Sequence, residues 1–275
     1  MGPKIRSVVG VAAAIPALAA VPAAQATTLV GSGSSAAQPY MQKLFKAYSA
    51  SKHNKIRFRY NGNGGNAGVQ DVQAHRSQFA VQTRPPLKSD SGTVYVKLFL
   101  DGLCIAVNPA NQLSNASIGQ VKDIFLATDT NWNQLPGSGL STAIAPIGRN
   151  SSAGLYTFFQ QAVLGGKTQA SNVLQTTSDG LVATAVHKDP NAIGYVGLAH
   201  AGAANGVKNL TINGVACDQA HIKNESYPLF RYVWGVFPIS HPNVQVEKFF
   251  DWVRTSKAAG GIIQRAGAVP AFNKH

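Results

Sequence analysis

The spacing of apolar and polar positions predicts that short strands and helices alternate along the chain. Residues 28–30 and 79–81 are brief apolar runs typical of buried strands, whereas residues 56–60 alternate apolar and basic side chains, the period of a half-buried strand. Apolar positions recur with helical spacing over residues 40–48, after Pro39 in the expected first helical turn. The order strand, glycine-rich loop, helix, strand is typical of a parallel sheet.

The same order of elements returns further along the chain. Additional segments are expected as strands at residues 103–107, 144–147 and 192–196, as helices at residues 118–126, 156–163 and 246–253, and as a hairpin arm at residues 210–215 around Asn213-Gly214. The sequence contains no internal repeat and no long linker. We therefore predict an α/β fold of two interleaved lobes, each a mixed, mostly parallel sheet flanked by helices.

The first 26 residues have the three-part pattern of a secretory signal. Lys4 and Arg6 precede an apolar run over residues 8–23, and small residues lead to a cleavage site after Ala26. A membrane anchor is the alternative, but two prolines interrupt the run, which is shorter than the roughly 20 residues of a spanning helix. With no cysteine near the cleavage site for lipid attachment, we expect a soluble protein in the periplasm or secreted from the cell.

The net charge changes the range of expected partners. The chain carries +13, and without the two basic residues of the predicted leader 22 basic residues oppose 11 acidic ones, a net charge of +11. This excess suggests an anionic ligand, partner or cell surface, although solvated surface charge explains it equally simply. The basic residues are scattered and have no aromatic ladder among them, so nucleic acid is not indicated as a partner.

Three loops have a composition suited to binding an anion. Residues 31–37, 62–68 and 149–154 each follow a predicted strand, contain small residues and lead into a predicted helix. The unpaired N–H groups and the dipole at a helix N-terminus attract negative charge. Arg149 adds a forked, permanently charged donor to the third loop. Each loop alone is ordinary turn and capping chemistry, but the carboxyl ends of parallel strands meet at one crevice.

Other chemistries lack the residue patterns that they require. The seven histidines form no HExxH pair and the two cysteines no CxxC pair, so no metal site is predicted. Paired carboxylates, a G-x-S-x-G elbow, a Walker loop and a dinucleotide fingerprint are all missing from the sequence. We expect a binding protein without a cofactor and not an enzyme.

Cys104 and Cys217 have two possible states. An exported chain meets an oxidising compartment, which favours one disulfide between them. Two separate buried thiols are the alternative.

The loop sequences resemble those of the phosphate-binding proteins of phosphate ABC transporters, the PstS type. Residues 30–39 (VGSGSSAAQP) are similar to the opening of that family, residues 60–69 (YNGNGGNAGV) to its second phosphate loop, and residues 79–87 (FAVQTRPPL) to its third. Further segments match in order through residues 248–252, so that the resemblance covers nearly the whole chain after residue 26.

The resemblance implies a type II periplasmic-binding-protein fold that closes around its ligand. Lobe I is expected to combine residues 27–99 and 232–275, and lobe II residues 100–231, with both cysteines in lobe II. The lobes are expected to close about two crossing strands.

The resemblance also implies a set of ligand-binding residues. In the family, hydroxyls, backbone amides, one arginine and one aspartate surround phosphate. Arg149 stands in the position of the arginine, and Ser34, Asn66 and Ser152 are expected to substitute from neighbouring positions. The residues expected to line the site are Ser34, Ser35, Gly65, Asn66, Thr83, Arg149, Ser152 and Gly154.

Several of these positions depart from the family pattern. Ala36 replaces an aromatic residue, Gly65 stands where a serine is usual, and Ala153 and Leu155 replace two hydroxyl residues. Thr83 stands in the place of the aspartate, which accepts the proton of phosphate and repels sulfate. Weaker phosphate binding, poorer selectivity against sulfate or a different ligand is therefore expected.

The resemblance and the loops predict an exported, monomeric solute-binding protein. It would capture phosphate or a related oxyanion and deliver it to the permease subunits of an ABC transporter. The alternative is a secreted or surface interaction protein that keeps the fold but has lost phosphate binding.

Overall fold

The computed structural model describes residue 2 and residues 26–271, so the predicted signal peptide lies almost entirely outside the described residues. Within the described part, the strands are β1 Thr27–Gly33, β2 Ile56–Asn61, β3 Phe79–Gln82, β4 Thr93–Val107, β5 Asn115–Ala116, β6 Ala145–Arg149, β7 Leu174–Thr176, β8 Ala192–Gly197, β9 Lys208–Asn209, β10 Thr211–Ile212, β11 Phe230–Pro238 and β12 Val269–Pro270. The α-helices are α1 Gln38–Ser51, α2 Gly65–Gln73, α3 Ile118–Phe125, α4 Gly154–Ala162, α5 Asp179–Lys188, α6 Gln219–Lys223, α7 Val244–Thr255 and α8 Lys257–Arg265.

Most of these strands form one mixed sheet. Its order is β2-β1-β3-β11-β4-β8-β6-β7, with β9 and β12 also paired to β4. The pairs at the two ends of this order, β1 with β2 and β3, and β6 with β7 and β8, are parallel, as the strand-loop-helix order predicts. The central pairs of β11 and β4 are antiparallel. The α/β class with helices flanking a mixed sheet is confirmed.

The prediction of a separate sheet in each lobe is wrong, because β4 belongs to both halves of the fold. This strand has 15 residues, well above the usual length of a strand. It pairs with β11 from Thr93 to Gly102 and with β8 from Leu103 to Val107. The sheet is therefore continuous across the whole molecule and curls around this strand.

Two large clusters of buried apolar side chains pack on the two halves of this sheet. One is built mainly from α1, α7, α8 and the first three strands, with Phe249 at the centre of several aromatic contacts. The other combines α3, α4 and the second half of β4, where Phe159 stacks on Tyr195 with 4.0 Å between ring centroids. The helical spacing at residues 40–48 is confirmed, since those apolar side chains are buried in the first cluster.

The structure contains elements that were not predicted from the sequence, and it alters one that was. Helices α5, α6 and α8 and several strands, including the nine-residue β11, were not predicted from the sequence. Ser178, Asp218 and Ser256 nevertheless each cap the helix that follows with a side-chain oxygen. The hairpin expected at residues 210–215 is reduced to one bridge between Ile212 and Val215. β10 instead pairs in parallel with β5, because Ile212 is buried against the core on that side.

A disulfide joins Cys104 in β4 to Cys217, which precedes α6. Their Cα atoms are 5.6 Å apart and the residues are 113 positions apart in the sequence. Neither cysteine is a separate thiol in the structure. The bond therefore ties the shared strand to the distal segment of the second half of the fold.

Two properties of the described residues concern membranes and metal ions. No helix there has the length and hydropathy needed to cross a membrane. No group of histidine, cysteine and acidic side chains within residues 26–271 is arranged to hold a metal ion.

Candidate functional site

The three predicted anion loops meet in the structure at the carboxyl ends of parallel strands. The Gly64 N–H donates to the Gly33 carbonyl at 2.8 Å, which joins the first loop to the second. The Asn66 N–H donates to the Ser152 carbonyl at 2.9 Å, which joins the second loop to the third. The convergence expected from the parallel-sheet order is therefore present.

Gly64 allows the second and third loops to approach this closely. Its φ of +107° lies in a region that residues with a side chain rarely adopt. A Cβ at this position would lie 2.7 Å from the Ser152 carbonyl carbon. Any other residue here would push the two loops apart.

Arg149 lies at the end of β6 and holds the first and third loops together. Its Nη1 donates to Ser35 Oγ at 3.0 Å, and its Nη2 donates to the Thr177 carbonyl at 2.8 Å. The side chain is only 1% exposed. The guanidinium is therefore buried in the interior between the two halves of the fold.

Asp179, the first residue of α5, pairs with this guanidinium and is itself fully buried. Its Oδ1 accepts from Arg149 and, at 3.2 Å, from Ser35 Oγ, while Oδ2 accepts from the Gly197 N–H at 2.8 Å. The carboxylate cancels the charge expected to attract the ligand. Sequence reasoning missed Asp179, and the signal was Ser178 before the apolar spacing of α5.

Burial also changes the protonation of the groups around Ser35. It lowers the pKa of Arg149 to about 10, so the guanidinium stays charged at neutral pH. It lowers the pKa of His200, whose Nε2 lies 3.3 Å from the Ser35 carbonyl oxygen. Within this cluster, the charge of Arg149 is opposed by the paired carboxylate of Asp179, and burial of His200 disfavours a second positive charge.

A second buried ion pair joins the two long central strands. Arg231 in β11 stands opposite Asp101 in β4 and donates from Nη2 to its Oδ2 at 2.7 Å. Tyr40 donates to the other oxygen of Asp101 at 3.3 Å. Arg231 Nε and Nη1 have no hydrogen-bond partner among the described residues. Sequence reasoning missed this pair, since cross-strand register is not readable from spacing alone.

Gln82, the last residue of β3, places its carboxamide between the starts of α2 and α4. A Cβ added at either Gly65 or Gly154 would overlap Gln82 Oε1. The side chain is fully buried. It therefore fills the space between two residues predicted to line the ligand site, and the sequence analysis did not identify it.

Thr83 is also fully buried, and its hydroxyl has no hydrogen-bond partner among the described residues. Its N–H donates to Gln82 Oε1 at 2.8 Å. The position expected to carry an aspartate thus presents a neutral, unpaired polar atom. A buried hydroxyl without a partner is destabilising. Because Thr83 Oγ1 makes no hydrogen bond within the described residues, it can make one to a ligand.

Asn66 bridges the second and third loops rather than pointing freely into a cavity. Its Nδ2 donates to Thr157 Oγ1 at 2.8 Å and to the Ser151 carbonyl at 2.9 Å. Its Oδ1 accepts from Arg84 Nε at 2.7 Å. A cavity of about 380 Å³ lies beside Asn66, Arg84 and Ser151.

The remaining predicted residues have local partners. Ser34 Oγ accepts from the Ala37 N–H at 3.2 Å, and Ser152 Oγ donates to Asn150 Oδ1 at 2.6 Å. Gly154 begins α4, whose N-cap, Ala153, makes no side-chain hydrogen bond to the helix. Leu155 packs into the apolar core around Phe159 and not between the loops.

A mixed α/β sheet with small-residue loops gathered at its strand ends is the arrangement expected of a solute-binding protein. The PBP superfamily domain matches residues 19–257, so the chain belongs to this family. The family consists of substrate-binding proteins, which confirms that the chain is not an enzyme.

The similar proteins are phosphate-binding proteins. The chain is 28% identical over 176 residues to the phosphate-binding protein PstS of Staphylococcus epidermidis, covering 61% of this chain and 53% of that protein. It is 27% identical over 261 residues to PstS of Staphylococcus aureus, covering 89% and 78%. The chain thus spans about half the length of the Staphylococcus epidermidis relative, and the resemblance to PstS-type proteins is confirmed.

Solved structures support the same fold. A putative phosphate ABC transporter substrate-binding protein from Clostridium perfringens, solved with bound phosphate, superimposes with a TM-score of 0.83. The two proteins are 22% identical, and the match covers 89% of this chain and 100% of that one. At this identity the likeness establishes the fold.

Proposed function

We propose that the chain is an exported substrate-binding protein that captures phosphate or a related oxyanion for an ABC transporter. The observation that carries the proposal is the contact of Arg149 Nη1 with Ser35 Oγ at 3.0 Å. It brings the one arginine of the predicted anion loops to the first predicted loop, across 114 residues of sequence. Arginine and hydroxyl donors at helix starts are suited to an oxyanion.

The proposal divides the fold into lobe I, residues 27–99 and 232–275, and lobe II, residues 100–231. The two large apolar clusters, one mainly on each side of this division, support it. Because β4 and β11 pair across it, we propose that these strands bend when the lobes separate. The two lobes must separate before a ligand can reach Arg149, since this side chain is buried.

Export to the periplasm or the medium, a monomeric state and delivery to permease subunits belong to the same proposal. The structural likeness to the Clostridium perfringens protein, an ABC transporter substrate-binding protein, supports the delivery role by analogy. The pattern of residues 1–26 supports export.

The test is calorimetry of the protein starting at residue 27 with phosphate, arsenate and sulfate. Micromolar or tighter binding of an oxyanion is expected, and Arg149→Ala should weaken it by roughly 100-fold or more. Arg254→Ala, the same change on the exposed side of α7, is the matched control and should leave the affinity unchanged. Circular dichroism establishes that each variant is folded. Equal oxyanion affinity in both variants would show that Arg149 does not contribute to ligand binding.

A second candidate is an interaction protein that keeps the fold without an oxyanion. The pairing of Arg149 with Asp179 favours it, because the predicted charge is already neutralised. A cavity of about 510 Å³ between α1 and α8, lined in part by Lys43, Lys46 and Arg265, offers a basic surface for an acidic partner. No heat with any of the three oxyanions, from a folded protein, would select this candidate.

A further inference from the structure

We propose that Gln82 determines the ligand selectivity of this site and that its neutral carboxamide lets the site bind sulfate about as well as phosphate. The proposal rests on the oxyanion-binding function proposed above. It concerns a residue outside the ligand set expected from the sequence.

The first step is the position of the side chain. Gln82 Oε1 lies against the backbone of Gly65 and Gly154, the first residues of α2 and α4. These are the two helix starts that the second and third loops contribute. An oxyanion held by both helix starts must therefore contact the carboxamide or displace it.

The second step explains why the two helix starts begin with glycine. A Cβ on Gly65 or Gly154 would overlap Gln82 Oε1, so the carboxamide and a serine at position 65 compete for the same space. Glycine at both helix starts thus leaves the room that the carboxamide of Gln82 occupies.

The third step is the hydrogen-bonding capacity left on Gln82. Its Oε1 accepts from the Thr83 N–H at 2.8 Å, and its Nε2 donates to Asn66 Oδ1 at 3.2 Å. A carboxamide has two acceptor lone pairs and two N–H donors. One lone pair and one N–H therefore remain for a ligand.

The fourth step is the proton on the ligand. Phosphate near neutral pH carries a proton that needs an acceptor, whereas sulfate carries none and needs only donors. Gln82 can offer Oε1 to the first and Nε2 to the second, so it discriminates little between them. A carboxylate in the same place would accept the proton but repel sulfate.

Nearby carboxylates already have partners. Asp179 accepts from Arg149, Ser35 and the Gly197 N–H, and Asp90 is paired with Arg84. Gln82, at the end of β3, is thus a neutral polar side chain beside the two helix starts, and the buried, neutral Thr83 follows it directly.

The experiment compares phosphate and sulfate binding in the unmodified protein, Gln82→Glu and Gln78→Glu by calorimetry. Gln78 is the matched control, because its Oε1 accepts from the Val30 N–H and a glutamate preserves that contact. The unmodified protein and Gln78→Glu should bind the two anions within about 10-fold of each other. Gln82→Glu should weaken sulfate binding by about 10-fold or more and change phosphate binding by less than about 3-fold.

A second variant covers the case in which the buried glutamate prevents folding. Gln82→Met keeps a similar shape without hydrogen-bonding groups. It should weaken the binding of both phosphate and sulfate by about 10-fold. Unchanged affinities in folded Gln82→Met, or an unchanged sulfate-to-phosphate ratio in folded Gln82→Glu, would overturn the role of Gln82. A strong preference of the unmodified protein for phosphate would also overturn it and leave the oxyanion function standing. Failure of the unmodified protein to bind either anion would overturn both.

Discussion

Arg149 and Asp179 form a buried ion pair in which the carboxylate bridges three donors. Asp179 accepts from the Arg149 guanidinium and the Ser35 hydroxyl with one oxygen and from the Gly197 N–H with the other. The side chains are 1% and 0% exposed. The positive group expected to attract an oxyanion is therefore already neutralised. The affinity for a ligand depends on how easily the ion pair between Arg149 and Asp179 can be broken.

Asp179→Asn should raise the affinity for an oxyanion. The amide keeps an oxygen for the Gly197 N–H but no longer cancels the charge of Arg149, so the ligand meets a net positive group. We expect phosphate and sulfate to bind roughly 10-fold more tightly by calorimetry. Asp101→Asn breaks the buried pair with Arg231 and is the control, with no gain in affinity expected. Weaker binding in Asp179→Asn would mean that the carboxylate itself contacts the ligand.

The same pair can be tested for its structural role by a pair of substitutions. Arg149→Met leaves Asp179 buried and unpaired, which should lower the free energy of unfolding by about 3–5 kcal/mol in urea titrations. Arg149→Met combined with Asp179→Leu should recover most of that loss, because apolar side chains of similar size replace buried ion pairs at little cost. The combined variant should still bind an oxyanion roughly 100-fold or more weakly than the unmodified protein, because it also lacks Arg149. Recovered binding would assign the ligand contacts to the backbone amides alone.

Much of the fold could be predicted from the sequence because its signals are local. Helical spacing over residues 40–48 and alternation over residues 56–60 each depend on neighbouring positions and the face that they bury. The convergence of the three loops follows from the carboxyl ends of parallel strands. The single sheet was not predicted because β4 joins the two halves of the fold by pairing with β11 and with β8. Both partner strands are distant from β4 in sequence.

The candidate site could be predicted only in part. Arg149 and Ser35 are identifiable from loop composition and resemblance, and the structure brings them into contact. Asp179 was missed because it lies on α5, which was not predicted, and because the partner of a buried charge is set by tertiary packing. Gln82 was missed because a glutamine at the end of a strand has no local pattern, and only the glycines facing it reveal its position.

The buried pair of Arg84 and Asp90 predicts a loss of stability in acid. Burial acts to raise the pKa of Asp90, but hydrogen bonds from Arg84, the Leu87 N–H and Tyr95 outweigh it and hold the pKa below its ordinary value of 3.8. A carboxyl with a lowered pKa in the folded state stabilises the protein above about pH 4. This contribution is lost as the pH falls through the lowered pKa.

Asp90→Asn should remove that dependence. At pH 7 the free energy of unfolding of the variant should be about 3 kcal/mol lower than that of the unmodified protein, since Arg84 is left buried without its charge partner. The difference should shrink as the pH is lowered from about 5 to about 2.5 in urea titrations. Asp251→Asn, at an exposed pair on α7, is the control and should change stability by less than about 1 kcal/mol. A difference independent of pH would assign the effect of Asp90→Asn to packing.

The disulfide between Cys104 and Cys217 should contribute a large part of the stability. It closes a segment of 113 residues, and restricting so long a loop in the unfolded chain stabilises a protein by about 2–5 kcal/mol. The variant with both cysteines changed to alanine should therefore unfold at a lower urea concentration. Dithiothreitol should lower the midpoint of the unmodified protein to a similar value and leave that of the double variant unchanged. Equal midpoints for the oxidised protein and the double variant would show that the bond contributes no net stability.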